Sequence, residues 1–219
     1  MTTLLDGPRL PAASGKATSL AVFLHGYGAD GNDLIDLGRE WQSILPNTAF
    51  VSPHAPEPCG MSPMGRQWFA LTMRDPSERW RGVNHAQPSL DAFLDAELER
   101  HHLTPDRLTL IGFSQGTMMA LHVGLRRRVA PAAILGFSGD LVGPDHLADA
   151  TGKPPILLVH GDRDETLPLE SLFLAFNALG EAKIPCQWHI SMGIGHGIDG
   201  GGLKHGGLFL AQSLQRRTR

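Results

Sequence analysis

Gly112-Phe113-Ser114-Gln115-Gly116 decides how the chain is read. An apolar run, Arg107-Leu108-Thr109-Leu110-Ile111, leads into it, and Thr117-Met118-Met119-Ala120-Leu121-His122-Val123 leaves it with a helical period. A serine at the apex of a strand-to-helix turn is the setting that gives G-x-S-x-G its meaning as a nucleophile elbow. Such a turn holds the serine in a sparsely populated backbone conformation, and side chains two positions either side would collide. Glycine at 112 and 116 removes them. The helix that follows aims its first N–H groups at the serine and favours negative charge developing there.

Working outward, apolar segments alternate with helical ones. Ser19 to Leu24 is continuously apolar, as a strand buried on both faces is, and runs into the glycine-rich loop His25-Gly26-Tyr27-Gly28-Ala29-Asp30-Gly31. Asn32 or Asp33 caps a helix predicted to reach Trp41. Thr48 to Val51, Ala132 to Phe137, Pro155 to His160 and Cys186 to Ile190 read as further strands. Helices are predicted over 89–102, over 169–179 with Leu172, Phe173, Phe176 and Leu179 inward, and over 202–216. The first sixteen residues show no clear period and leave room for a short edge strand. Residues 52–88 read as a long irregular binding region or lid, with Trp68 and Phe69 as candidate walls of a substrate pocket. The alternation predicts an α/β fold, a mainly parallel sheet with helices on both faces, in one domain over 1–219.

A serine hydroxyl needs a base to take its proton, and the base needs a carboxylate to fix its tautomer. In an elbow fold the chain order is serine, acid, histidine. Asp162, Asp164 and Glu165 compete for the acid in His160-Gly161-Asp162-Arg163-Asp164-Glu165, and Asp164 is preferred because Asp162 suits hydrogen bonds to its own loop. His196, among flexible glycines after the last strand, is the preferred base over His205, which falls within the final helix; His101, His102 and His122 also sit on helices. Backbone amides of Gln115, after the serine, and Tyr27, after the first long strand, are the candidate oxyanion hole. The His25 loop, Ser114, Asp164 and His196 each follow a predicted strand, so one sheet edge collects them.

The remaining composition points the same way. At 219 residues the chain buries a substantial core without disulfides. A net charge of −3 gives no footprint for nucleic acid. The Arg126-Arg127-Arg128 run falls at a helix end, where cations complement the dipole. No apolar leader or membrane-length run is present, and Cys59 and Cys186 form no disulfide framework, which together predict a cytoplasmic protein without stable membrane insertion. No H-E-x-x-H or paired Cys/His spacing suggests a metal, and no cofactor is expected.

With Leu24-His25-Gly26-Tyr27-Gly28, Gly112-Phe113-Ser114-Gln115-Gly116, His160-Gly161-Asp162-Arg163-Asp164 and Gly195-His196-Gly197 in this order, nearly the whole chain resembles the phospholipase/carboxylesterase family of α/β-hydrolases, which includes acyl-protein thioesterases. The resemblance implies the α/β-hydrolase fold, Ser114, Asp164 and His196 as a triad, and Tyr27 and Gln115 as the hole. It also implies a metal-independent esterase acting on small esters, often as a homodimer. Thr117 departs from the glycine common after the elbow, and 61–81 resembles bacterial members more than eukaryotic thioesterases. Hydrolysis of short- to medium-chain carboxylic esters through an acyl-serine is the leading expectation. Acyl-protein thioesterase or lysophospholipase activity, a non-catalytic ligand-binding module and a peptidase are its rivals.

Overall fold

A computed structural model describes residues 4–72, 75 and 77–216. Seven strands form the main sheet: β1 (Arg9–Leu10), β2 (Ser19–Leu24), β3 (Thr48–Val51), β6 (Leu108–Phe113), β7 (Ala133–Phe137), β8 (Ile156–Gly161) and β9 (Cys186–Ser191). A separate pair joins β4 (Glu57–Pro58) to β5 (Arg66–Gln67). The main sheet runs in the order β1-β3-β2-β6-β7-β8-β9, parallel throughout except that β1 lies antiparallel on β3. The short edge strand for which the sequence left room is β1.

Every residue of β2, β3, β7 and β8 is buried, because helices cover both faces. One face packs against α3 (Glu78–Arg100), α4 (Gln115–Arg126) and α5 (Glu170–Glu181), with Leu90, Leu94, Met119, Leu121 and Leu172 in its core. The other packs against α1 (Asn32–Ile35), α2 (Leu37–Trp41) and α6 (Gly200–Arg216), around Phe23, Trp41, Phe50 and Leu210. Burial of one such side chain stabilises the fold by roughly 1.5–3 kcal/mol.

Three expectations need correction. The single helix from Asn32 to Trp41 is two short helices, α1 and α2, which meet at Asp36. The irregular region ends at Ser77 rather than 88, since α3 begins at Glu78 and runs through Pro88. Pro88 removes one hydrogen bond, but Val83, Ala86, Leu90, Phe93 and Leu94 keep one buried stripe across it, and that burial outweighs the loss. Phe173 of α5 is 38% exposed instead of inward, because Ala175 takes the buried position of that turn.

Polar pairs tie the layers together. Glu97 of α3, only 1% exposed, accepts from Arg9 Nη2 at 2.7 Å and from Arg100 Nε at 3.1 Å, fastening β1 to α3. Arg126 donates to the His122 carbonyl in the last turn of α4 and lies 5.2 Å over the Trp80 ring, while Arg127 reaches Asp91 and Asp95 on α3. Gly82 of α3 faces the Phe69 ring so closely that a Cβ there would lie 2.3 Å from it.

Candidate active site

The elbow is built by close approach. Ser114 has φ +53° and ψ −117°, outside the regions L-residues favour. A Cβ on Gly116 would stand 1.8 Å from the Leu24 carbonyl oxygen, and one on Gly112 would stand 2.4 Å from Gly116 and Thr117 backbone atoms. Only glycine at both positions lets β6, α4 and the end of β2 meet with the serine at the apex. The Ser114 N–H donates to the Phe137 carbonyl at 2.9 Å, and the Thr117 hydroxyl donates to the same oxygen at 2.9 Å. Thr117 is buried against Gly136 and Gly139, so it adds a bond to the elbow's support.

Beyond β8, Asp164 has a fully buried side chain. Its Oδ1 accepts the Thr166 and Leu167 N–H groups, both at 2.9 Å, and its Oδ2 accepts His196 Nδ1 at 2.8 Å. Burial pushes this carboxyl up, but the Leu167 amide and the His196 ring outweigh it and hold it below its ordinary value. His160 Nε2 donates to the Leu167 carbonyl at 2.8 Å and lies 3.3 Å from Oδ2. The bond that His196 Nδ1 gives Asp164 leaves its Nε2 without a partner among the described residues; the ring is 5.0 Å from that of Phe113, and the side chain is 21% exposed. Among the described residues Ser114 Oγ is not hydrogen-bonded to that ring; such contacts often tighten only with substrate bound.

The loop carrying His196 is tethered from neighbouring strands. Asp162 accepts the Gly193 N–H, Ser138 Oγ donates to the Gly197 carbonyl at 3.4 Å, and the Arg163 N–H donates to the Ile194 carbonyl at 2.9 Å. Asp162 thus binds the histidine's loop rather than its own. Glu165 is exposed, and His205 lies on α6 with its Nδ1 2.9 Å from the Gly201 carbonyl. His122 is buried in α4, and burial lowers its pKa to about 3.

Across the serine, Gln115 is the first residue of α4, so its N–H has no partner within the helix. Tyr27 follows Gly26, whose Cβ position is 3.4 Å from Ser114 Cβ. The next amide, Gly28 N–H, is occupied by the Arg66 carbonyl. His25 is buried at the base of this loop, and burial lowers its pKa to about 4. The sequence offered no sign of this support beyond a histidine at a strand end. Trp68 and Phe69, expected along a substrate pocket, are 0% and 2% exposed and belong to the same core cluster as Leu24. Open space lies elsewhere: a groove of about 460 Å³ at the carboxyl end of β7 is lined by Trp80, Asp140, Leu141, Val142 and His146. Burial raises the Asp140 carboxyl there, although Arg79 Nη1 pairs with it at 2.8 Å.

Among the described residues, no group of three or more His, Cys, Asp or Glu is placed to hold a metal ion, and no helix is long and apolar enough to cross a membrane. Cys59 and Cys186 are unpaired.

Residues 5–214 match the model of the phospholipase/carboxylesterase family. The chain is 28% identical over 208 residues to acyl-protein thioesterase 1 of Gibberella zeae, covering 85% of this chain and 86% of the relative. It is 27% identical over 184 residues to esterase YpfH of Escherichia coli, covering 84% and 78%. A crystal structure of esterase PE8 superposes with a TM-score of 0.93 at 45% identity, covering 97% of this chain and 100% of that one.

Proposed function

The chain belongs to the phospholipase/carboxylesterase family, and from that premise we propose that Ser114, His196 and Asp164 are its catalytic triad, with Tyr27 and Gln115 as oxyanion donors. The protein is a hydrolase of the carboxylesterase type. The observation that carries the residue assignment is the 2.8 Å bond from His196 Nδ1 to Asp164 Oδ2, with the His196 ring 5.0 Å from that of Phe113, the residue before an elbow serine at φ +53°.

Ser114 Oγ attacks the ester carbonyl carbon as His196 Nε2 takes its proton. Asp164 holds Nδ1 protonated and stabilises the imidazolium. The carbonyl oxygen, now negative, is received by the Tyr27 and Gln115 N–H groups, each worth roughly 2.7–4 kcal/mol in the transition state. His196 then protonates the departing alcohol oxygen, leaving an acyl-Ser114. Water attacks that ester with His196 again as base, and collapse frees the acid and restores the serine.

The substrates we assign are short- to medium-chain carboxylic esters, a reading supported by the family match and by the esterases among the relatives. We place the protein in the cytoplasm, a reading supported by the two unpaired cysteines. A homodimer is the assembly proposed from the family resemblance, and sedimentation checks it. The purified protein should hydrolyse an aryl ester of a short acid, and Ser114→Ala should lower kcat by roughly 10⁶-fold. A variant as active as the parent would sink the assignment. The name of the fungal relative supports a second reading, acyl-protein thioesterase, and a matched oxyester and thioester pair separates the two by kcat/KM.

A further inference from the structure

One buried side chain beside the nucleophile has no part in the mechanism above. Gln115 serves the reaction through its backbone amide, yet its carboxamide is also closed from solvent and bonded at both its oxygen and its nitrogen. Its Oε1 accepts the Trp68 N–H at 2.9 Å, and its Nε2 donates to the Phe69 carbonyl at 2.8 Å. An amide offers a donor and an acceptor side by side, so one side chain satisfies successive backbone groups as a neighbouring strand would. Trp68 passes the restraint on, since its indole Nε1–H donates to the His25 carbonyl at 3.0 Å. The Ala55 N–H donates to His25 Nε2 at 3.0 Å, which leaves Nδ1 carrying the proton it gives to the Gly26 carbonyl at 2.8 Å. This tautomer needs a neutral ring.

We propose that the Gln115 side chain is a positioning residue for the oxyanion hole, holding the Tyr27 and Gln115 amides in register through Trp68 and His25. The inference rests on the catalytic reading given above. The two hole donors stand on different segments, one after β2 and one at the start of α4. The contact between Gly116 and the Leu24 carbonyl sets the distance between those segments. It does not aim the Tyr27 amide, which lies three residues further along a loop flanked by Gly26 and Gly28, the latter at φ +81°. Of the buried bonds that reach this loop at His25, the one from the Trp68 indole leads back to the Gln115 carboxamide. Donors work only within about 2.7–3.1 Å of the developing oxyanion, so a loosened loop lowers the rate before it weakens binding.

Gln115→Met keeps the length of the side chain and removes both bonds. It should lower kcat on an aryl ester by roughly 10- to 100-fold, below the ~10²–10³ for complete loss of one donor, with KM within about threefold of the parent. Trp68→Phe breaks the same chain at the indole. The double variant should therefore fall no further than the more impaired single one. Gln115→Glu supplies an independent readout. Only its protonated carboxyl can donate to the Phe69 carbonyl, so its kcat relative to the parent should decline as pH rises through its titration. Parental kcat in Gln115→Met, a loss carried wholly by KM, or multiplicative losses in the double variant overturn the proposal. Should the methionine variant fail to fold, the glutamate variant decides: a flat ratio to the parent across pH refutes the clamp. Parent activity indifferent to Ser114→Ala would instead overturn the catalytic reading itself. Ser114-dependent activity with Gln115→Met at parental kcat overturns only the clamp.

Discussion

The two sides of the serine are organised by different physics. On the relay side, Asp164 and Asp162 collect backbone N–H groups from half-exposed loops, and charge-assisted bonds set the geometry. On the oxyanion side, the anchors are neutral and buried: a carboxamide, an indole, an uncharged imidazole and glycines pressed against carbonyls. The first arrangement loses chemistry when a charge is removed while the fold persists. The second is set by close packing, and at Gly116 any side chain would meet the Leu24 carbonyl.

That contrast can be broken most severely on the relay side. Asp164→Asn keeps the size of the side chain but lets the His196 ring adopt the wrong tautomer, so kcat should fall by roughly 10⁴-fold with thermal stability little altered. A loss below tenfold would show that the carboxylate does not orient the ring. On the other side Gly116→Ala should cost at least about 4 kcal/mol, since its new carbon meets the Leu24 carbonyl at 1.8 Å. Urea denaturation checks this, and a parental midpoint would contradict the packing described.

Acid separates the two sides more finely. His25 has a folded pKa of about 4 against an ordinary value near 6.5, so the unfolded chain binds the extra proton first. Stability is complete above the unfolded value and should drop by about 3 kcal/mol as pH falls from ~6.5 to ~4. His122, at about 3, acts in the same direction. Asp164, whose folded pKa is depressed, contributes fully above the ordinary carboxylate value and loses that contribution as pH falls from there through its folded value. Denaturation midpoints should therefore stay nearly level from pH 7.5 to ~6.5 and fall between ~6.5 and 4.5, and a level profile throughout would mean that His25 is not held neutral. The smallest effect concerns strain at the apex. Ser114→Gly should raise stability by about 1 kcal/mol while abolishing activity, because glycine tolerates φ +53° without penalty. Unfolding curves of the two proteins measure the difference.

Much of this was legible from residue order. Continuous apolar runs marked β2 and β3 because parallel strands buried on both faces have no polar side to show. The elbow glycines were legible because the turn admits nothing larger. The start of α3 was not, since Pro88 is a local stop signal and only the packed stripe on both sides of it overrides that signal. Trp68 and Phe69 looked like pocket walls on grounds of chemistry alone; α3 at Gly82 closes over Phe69, and Gln115 and His25 hold Trp68, all long-range facts. The roles of Gln115 and His25 were hidden for the same reason, as their partners lie 47 and 30 residues away. The tether from Asp162 was misread because a short-range rule about its own loop lost to an amide 31 positions on.

The gap at Gly82 carries a last consequence. It admits the Phe69 ring into the flank of α3, and the carbonyl of that same phenylalanine is what Gln115 grips. Any side chain grafted onto this bare turn would displace the aromatic ring and strain the carbonyl that the Gln115 carboxamide holds. On the proposed clamp, turnover would answer to a position on the outer helix that touches neither the triad nor the hole.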